Sequence, residues 1–86
     1  MKISYSKNFV KQYSKQSSKI KEKFIQKQYV FVDNVFNSLL NNHSLHGEYA
    51  GCRSINITGD IRAVFEEINS DYFEFIAIGT HSELFS

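Results

Sequence analysis

Hydrophobic and polar residues follow two different periods along this chain, and the period changes near its midpoint. A short alternating segment, 2–5, predicts a first strand. Apolar residues then recur every three or four positions, which is typical of amphipathic helices. Ser6 stands where an N-cap is expected, and the serine cluster Ser14, Ser17 and Ser18 marks the end of the first helix and the cap of the second. The apolar stripe of the second helix comprises Ile20, Phe24, Ile25, Phe31, Val32, Val35, Phe36, Leu39 and Leu40. A stripe this wide predicts a buried helix that runs to Leu40, so residues 1–42 should form a strand and a helical hairpin.

The second half of the chain has the alternation of β-strands. From Leu45 onward, polar and apolar residues alternate in three segments, and turn formers such as Gly59 and Asn69 separate them. The predicted strands are 52–57, 61–67 and 72–78. Consecutive strands with short turns predict an antiparallel meander. Helices that precede an antiparallel sheet indicate an α+β fold, in which the helical hairpin packs on one face of the sheet and leaves the other face open.

Length and composition set the scale of this fold. A chain of 86 residues is expected to form a single domain, 1–86. A domain of this size buries only about 60–65% of its unfolded surface, so its aromatic residues should supply much of the core. The lone cysteine, Cys52, excludes an internal disulfide and fits a reducing compartment. Because no segment approaches about 18 consecutive apolar residues, no membrane span is predicted, and we expect a cytoplasmic protein.

The net charge of +1 conceals a strong asymmetry between the two halves. Residues 1–42 carry eight lysines against two acids, a net charge of +6. Residues 43–86 carry two arginines against seven acids, a net charge of −5. The basic half is either a surface for a polyanion such as RNA or a solvated face of helices, and the sequence leaves both interpretations open.

The histidines occupy positions that suit acid/base chemistry. His43 and His46 lie before the predicted meander, and His81 lies just after its last strand. Side chains at the ends of rigid strands often form functional sites, and an imidazole can transfer a proton in either direction near neutral pH. Each histidine, taken alone, also fits an exposed loop position without function.

Two other chemistries fit the sequence less well. The three histidines and Cys52 could supply metal ligands, but their spacing matches no closed zinc pattern, so we predict neither a metal nor a cofactor. A nucleophilic pair of Cys52 with a histidine is also disfavoured, because a cysteine within a strand is more often a small core residue than a thiolate.

Metal-free RNA cleavage uses the residue types present here. The reaction needs a base for the ribose 2′-hydroxyl, an acid for the leaving 5′-oxygen and cations for the charge on the phosphorane. Histidine and aspartate can supply the first two, and Arg53 and Arg62 offer planar forks for phosphate. Tyr49, Tyr72 and Phe85 are candidates for stacking on an unpaired base. Arg62 could instead form a surface ion pair with a glutamate of the sheet.

Several short motifs in the second half resemble the YafQ branch of the RelE/ParE superfamily of bacterial toxins. These motifs are His43-Ser44-Leu45-x-Gly47, Gly51-x-Arg53, Asp60 and Gly79-Thr80-His81-x-x-Leu84-Phe85. The resemblance implies that His43, Asp60 and His81 are catalytic. It also implies that Phe85 helps to place the substrate.

The resemblance implies the toxin of a type II toxin–antitoxin system, which cleaves ribosome-bound mRNA and has a cognate antitoxin and the ribosome as partners. YafQ-like toxins carry a catalytic aspartate and a histidine where this chain has Ser54 and Asn56. Two alternatives stay open: a ParE-like toxin that inhibits DNA gyrase without catalysis, and a degenerate member that only binds its antitoxin. His43 and His81 favour cleavage, since a pure binding module does not need proton-transfer groups there.

Overall fold

The computed structural model describes residues 1–85, which form a mixed five-stranded sheet with helical elements on both faces. In chain order the elements are β1 (Lys2–Tyr5), α1 (Lys7–Ser14), α2 (Ser18–Asp33), a first 3₁₀ turn (Ser38–Leu40), β2 (His43–Ser44), a second 3₁₀ turn (Gly47–Tyr49), β3 (Arg53–Asn56), β4 (Ile61–Asn69), β5 (Tyr72–Thr80) and α3 (His81–Phe85). This arrangement confirms the predicted α+β fold. Within residues 1–85, no helix is long and apolar enough to cross a lipid bilayer.

The sheet has the strand order β1-β5-β4-β3-β2. Strands β3 to β5 pair in antiparallel fashion, as the alternation predicts, and β2, which was not predicted, adds to β3 in the same way. Strand β1 differs, because it pairs in parallel with β5 and places Ile3 opposite Phe73. A parallel pair requires a long crossover connection, and the helices that follow β1 form part of it. The prediction of antiparallel pairing is therefore confirmed for the meander, and the parallel pairing of β1 makes the sheet mixed.

Serine side chains start both long helices, as predicted for Ser6 and for the serine cluster, of which Ser17 is the residue that caps α2. The Ser6 hydroxyl accepts a hydrogen bond from the Phe9 N–H at 3.0 Å, and the Ser17 hydroxyl accepts one from the Ile20 N–H at 3.2 Å. Each bond satisfies a backbone donor that the first turn of a helix leaves without a partner.

The second helix ends earlier than the apolar stripe predicts. α2 stops at Asp33, and Asn34 has an extended backbone with φ −156° and ψ 106°. The Asn34 side chain accepts a hydrogen bond from the Phe36 N–H at 3.1 Å, so it competes with the helix for backbone groups. Beyond this point Phe36 is 66% exposed and Leu39 is 64% exposed. The prediction of one buried helix to Leu40 is therefore wrong.

The main core lies between the long helices and the sheet and is built from phenylalanine rings. Phe31 is fully buried, and its ring centroid lies 4.9 Å from that of Phe65 and 5.2 Å from that of Phe75. Edge-on and tilted pairs at these distances contribute about 0.5–1.5 kcal/mol each beyond the area they bury. The same rings hold β4 and β5 rigidly in register, and these are the strands that carry the candidate site.

The opposite face of the sheet is partly covered, which corrects the prediction of an open face. A second, smaller cluster lies there, and its buried members are Val64, Ala77 and Leu84. The second 3₁₀ turn and α3 contribute Tyr49, Leu84 and Phe85 to this cluster. Tyr49, Leu84 and Phe85 therefore pack on the same sheet face as the polar residues of β3 and β4 described below.

Candidate active site

Asp60 and His81 meet at one end of the sheet. The register places Ile61 opposite Thr80, so the residues just outside this pair are neighbours. The His81 N–H donates a hydrogen bond to the Asp60 carbonyl oxygen at 3.1 Å. Both residues are exposed. The fold therefore joins the backbones of Asp60 and His81 at this end of the sheet, and both residues are accessible to solvent.

The tight turn before β4 fixes Asp60. The Thr58 hydroxyl accepts a hydrogen bond from the Ile61 N–H at 3.0 Å and lies 3.4 Å from the Asp60 nitrogen. The Ile57 N–H and the Thr58 N–H both donate to the Ile61 carbonyl oxygen. A threonine that bonds the backbone two or three residues ahead is typical of such turns. Asp60 is thus held by a local network and does not depend on a flexible loop.

A capping box fixes His81 from the other side. The Thr80 N–H donates to the Glu83 carboxylate at 2.8 Å, and the Glu83 N–H donates to the Thr80 hydroxyl at 3.1 Å. These bonds start α3, whose first residue is His81. The backbone hydrogen bond from Thr80, followed by that of its side chain, lowers the pKa of the Glu83 carboxyl. The ionised carboxylate is therefore the form that caps the helix.

Gly79 is needed where β5 meets α3. A Cβ atom at this position would lie 3.1 Å from a Glu83 carboxylate oxygen and 3.5 Å from Leu84 Cδ2. Any larger residue would push against the cap and against the side chain that anchors α3. The glycine of the Gly-Thr-His motif therefore has a packing role.

The imidazole of His81 contacts the ring of Phe85, which in turn contacts Tyr49. The ring centroid of Phe85 lies 5.1 Å from that of His81 and 5.9 Å from that of Tyr49. Tyr49 and Phe85 also line a cleft of about 260 Å³ together with His46 and Leu84. Burial, with smaller contributions from Glu48 and Cys52, raises the pKa of the Tyr49 phenol, so this residue stays neutral near pH 7. The cleft can offer an aromatic wall to a nucleobase.

Arg62 adds a positive charge to this face of the sheet. Its neighbours along β4, Ile61 and Ala63, belong to the main core, so its side chain points to the opposite face. Arg62 Nη1 donates to the carbonyl oxygens of Thr58 at 3.1 Å and Gly59 at 3.0 Å. Nη1 also makes a longer bond to the Ile61 carbonyl oxygen, so the hydrogen bonds of Arg62 among residues 1–85 all use Nη1. No carboxylate of residues 1–85 pairs with the guanidinium. Arg62 therefore does not form the surface ion pair with a glutamate of the sheet that the sequence left open.

Ser54 and Asn56 lie on the same face, since Ile55 between them belongs to the main core. Ser54 is completely buried, and its hydroxyl has no hydrogen-bond partner among residues 1–85. The side-chain oxygen of Asn56 is likewise buried and has no partner in the described part of the chain, and Asn56 lies opposite Arg62 in the register. Buried polar atoms without partners are unusual and often mark functional positions. Neither residue can act as a base in the way a carboxylate or imidazole can.

His43 lies apart from the Asp60–His81 pair. The register places His43 at the level of Ala77, four residues before His81. Three strand spacings of about 4.8 Å each separate their backbones. The His43 Nδ1 atom lies 2.8 Å from the Asn41 carbonyl oxygen, and the side chain is exposed. His43 and His81 therefore cannot act on the same proton, although both can contact one extended RNA strand.

Arg53 does not join the site. Its Nε donates to the Asn42 side-chain oxygen at 2.7 Å, and its guanidinium lies 5.1 Å from the centre of the Phe36 ring. Arg53 alternates with Ser54, so it points toward the helical side of the sheet. These contacts give Arg53 a structural role, which distinguishes it from Arg62.

The alternative chemistries find little support in the geometry. Burial, with a smaller contribution from Glu66, raises the pKa of the Cys52 thiol, which opposes formation of a nucleophilic thiolate. In the described part of the chain, no three residues among its histidines, cysteines and acids are grouped closely enough to hold a metal ion.

Comparison with known proteins decides the family. A sequence model described as the bacterial toxin of type II toxin–antitoxin system, YafQ, matches residues 1–86. The chain belongs to the YafQ toxin family. It is accordingly the toxin of a type II toxin–antitoxin system, and the match extends over the helical half as well as the motifs of the second half.

Solved structures agree with this assignment at the level of the fold. YafQ from E. coli strain BL21(DE3) superposes with a TM-score of 0.82 at 19% identity, covering 98% of this chain and 97% of that one. YafQ in the E. coli DinJ–YafQ toxin–antitoxin complex gives 0.79 at 20% identity, with coverage of 98% and 96%. The YoeB/ParE toxin from Agrobacterium tumefaciens gives 0.78 at 24% identity, with coverage of 94% and 99%. A search of curated protein sequences gives no significant match.

Sequence reasoning missed the element that positions His81. α3 was not predicted, although Thr80 and Glu83 have the Thr-x-x-Glu spacing of a capping box, which is readable from sequence. The separation of His43 and the orientation of Arg53 had no such local signal, because both depend on which strands become neighbours.

Proposed function

We propose that this YafQ-family toxin is a ribosome-dependent, metal-independent endoribonuclease that cleaves mRNA and thereby inhibits translation. YafQ- and YoeB-type toxins are ribonucleases, which supports the general class of activity. The observation that supports the proposal is that the backbones of Asp60 and His81 are hydrogen-bonded at one end of the sheet, where the His81 ring contacts that of Phe85. A surface that only bound another protein would not require an acid and an imidazole on adjacent backbone segments that are each fixed by local hydrogen bonds.

Asp60 and His81 handle the two protons of the reaction in this proposal. One group takes the proton of the ribose 2′-hydroxyl as the 2′-oxygen attacks phosphorus, and the other gives a proton to the 5′-oxygen as the P–O5′ bond breaks. The products are a 2′,3′-cyclic phosphate and a 5′-hydroxyl. Arg62 Nε and Nη2 stabilise the negative charge that builds on the phosphorane.

The remaining site residues position the RNA. Phe85 and Tyr49 stack on an unpaired base in the cleft that they line. His43 contacts a part of the RNA strand away from the scissile phosphate, since the register keeps it three strands from β5. Arg53 is left out of the proposed substrate-binding group because Asn42 and Phe36 occupy its side chain.

The proposed partners are the ribosome with its mRNA and a cognate antitoxin. The net charge of +6 in residues 1–42 supports contact with ribosomal RNA. The E. coli relative is known in a complex with its antitoxin DinJ, which supports an antitoxin partner here. The proposed location is the cytoplasm, where ribosomes are present.

Pulse labelling after induction of the toxin alone tests this function against inhibition of DNA gyrase. Incorporation of labelled methionine should fall within minutes while thymidine incorporation and plasmid supercoiling stay normal. An early fall in thymidine incorporation would support the gyrase alternative and contradict ours. No effect on either label from a folded protein would support a degenerate member that only binds its antitoxin.

The product ends test the chemistry directly. With programmed ribosomes kept intact in magnesium, a substrate that carries 2′-deoxyribose at the scissile nucleotide should not be cleaved, because the nucleophile is the 2′-oxygen. The matched ribose substrate should give a 2′,3′-cyclic phosphate. Efficient cleavage of the deoxy substrate would mean that an activated water attacks instead, and the roles of Asp60 and His81 would have to be abandoned.

A further inference from the structure

A polar cleft lies between α1 and the end of the sheet, on the sheet face that Arg62 does not share. The cleft has a volume of about 460 Å³, and its lining includes Gln12, Lys15, Gln16, Ile61, Thr80 and Glu83. Ile61 belongs to the main core and pairs with Thr80 in the register, which places the cleft on the helical side. Pockets of about 300–1,000 Å³ hold small ligands in proteins, so this cleft has room for one nucleotide.

The cleft exists because β1 is shorter than β5. β1 ends opposite Phe75, so the rest of β5 has no strand beside it on that edge. Side chains of α1 bond this free edge instead. The Asn8 amide donates to the Ile76 carbonyl oxygen at 3.1 Å, and the Ile78 N–H donates to Gln12 Oε1 at 2.9 Å. These bonds hold α1 and its side chains in place beside the strand.

Hydrogen bonds fix the orientation of two amide groups in the cleft. A backbone N–H can only donate, so the Gln12 atom that it meets is the oxygen, and Nε2 keeps both of its donors free. The Gln16 amide has the opposite orientation, since its Nε2 donates to the Gln12 carbonyl oxygen at 3.4 Å and leaves Oε1 as an acceptor. Both residues are half-buried. The cleft therefore presents a donor and an acceptor at defined positions.

The polar groups of the cleft match the edge of a nucleobase. A base carries donors and acceptors side by side, and amide side chains commonly bond to them. The Thr80 N–H uses one carboxylate oxygen of Glu83, and the other oxygen is a second acceptor. Two acceptors favour a base with an exocyclic amino group over uracil. Lys15, which has no ion pair within residues 1–85, can contact the phosphate of the same nucleotide.

The cleft starts one residue away from the proposed catalytic groups. Ile61 directly follows Asp60, and Thr80 directly precedes His81. The aromatic cleft beside His46 lies on the other face of the sheet. An unpaired RNA strand can turn its bases outward in different directions. A strand that crosses the end of the sheet can therefore place one base on each face.

We propose that the polar cleft binds the nucleobase next to the scissile phosphate, on the side away from the base that stacks in the aromatic cleft. The inference rests on the proposed function and adds a second base-binding site with a preference for an amino-bearing base. Two neighbouring bases held on opposite faces fix the phosphate between them at the end of the sheet, where Asp60 and His81 lie.

Gln12→Glu tests the proposal with the fold preserved. A carboxylate still accepts the hydrogen bond of the Ile78 N–H, but it presents an acceptor where the amide presents donors. The dissociation constant of fluorescently labelled toxin is measured on ribosomes whose vacant decoding-site codon carries 2′-deoxyribose, which prevents attack by a 2′-oxygen. An abasic residue replaces each base of the codon in turn. Gln26→Glu is the matched control, because Gln26 is an exposed residue of α2 outside the cleft.

At one codon position, the parent toxin should bind an adenine about fivefold or more tightly than an abasic residue. In Gln12→Glu this ratio should fall below about twofold, whereas Gln26→Glu should keep the ratio of the parent. At the same position the parent should prefer adenine to uracil, and Gln16→Ala should lose that preference, because it removes an acceptor. Far-UV circular dichroism checks that all of the variants are folded.

The proposal is overturned if no position shows a smaller ratio for folded Gln12→Glu than for the parent. It is also overturned if Gln26→Glu reduces the ratio equally, since the effect would then come from added negative charge. Cleavage of the matched ribose mRNA separates this inference from the proposed function. A toxin that shows the base preference without cleavage would contradict the nuclease and keep the cleft, whereas cleavage without the preference would contradict the cleft alone.

Discussion

Replacing His81 by alanine is the most direct test of the proposed active site. His81 is exposed, and the ring contact that it loses is the one with Phe85 at 5.1 Å. An aromatic contact contributes about 0.5–1.5 kcal/mol, and alanine recovers part of this through its higher helix propensity in α3. The net loss of stability should therefore stay below about 1 kcal/mol. A domain of this size has a free energy of unfolding of about 4–13 kcal/mol, so the variant should remain folded.

The chemical step should respond much more strongly. Loss of one general acid or base reduces a rate by about two to four powers of ten, which corresponds to about 2.7–5.4 kcal/mol in the transition state. Single-turnover cleavage of mRNA on programmed ribosomes measures this rate without a contribution from product release. Urea unfolding of the same preparation measures the stability.

His46→Ala is the control for removal of an exposed imidazole near the site. His46 lines the cleft with Tyr49 and Phe85 but has no proposed role in proton transfer. Its cleavage rate should stay within about threefold of the parent, well short of the loss expected for an acid/base group. A folded His81→Ala protein that cleaves at the parent rate would refute the assignment of His81. A similar fall in both variants would mean that the loss reflects the cleft and not proton transfer.

Three further predictions follow from polar groups near the site. Asn56→His should increase the rate of single-turnover cleavage, because it places a second imidazole opposite Arg62 that can assist proton transfer. An unchanged rate and pH profile would argue against a catalytic role for this position. Ser54→Ala should raise the free energy of unfolding in urea by about 1 kcal/mol, because it removes a buried hydroxyl without a partner; a decrease would show that the hydroxyl is hydrogen-bonded in solution. The lowered pKa of Glu83 means that its capping contribution is present above the unfolded pKa near 4.5 and is lost as the pH falls through the lower folded value. Thermal unfolding between pH 6 and pH 3 should therefore show a steeper loss for the parent than for Glu83→Gln, and identical slopes would exclude the cap.

The sequence determined the elements whose signals are local. Ser6 and the serine cluster at 14, 17 and 18 predicted both helix starts, and side-chain hydrogen bonds to the nearby backbone explain why such signals are reliable. Alternation over 52–78 predicted the meander, because one face of each strand must be buried. The Thr-x-x-Glu spacing at the start of α3 is an equally local signal, and it is sufficient to predict this helix.

Tertiary structure alone decided how these elements combine. The pairing of β1 with β5 joins residues about 70 positions apart, and no local pattern specifies such a partner. The apolar stripe on α2 was too wide to show which of its residues would face the sheet. Phe31 became completely buried, whereas Tyr29 and Val32 remained exposed. Burial depends on the surface that a helix meets and not on its own composition.

The candidate site shows the same division. Its histidines and arginines could be named from the sequence because their chemistry belongs to the side chains themselves, and Asp60 could be named from the resemblance to the toxin family. Which of these residues lie close together could not be predicted, since it depends on strand order and on the direction in which each strand residue points. The register joined Asp60 to His81, kept His43 three strands away, and turned Arg53 and Arg62 toward opposite faces. A sequence thus specifies which groups are available, and the pairing of its strands decides which of them can act together.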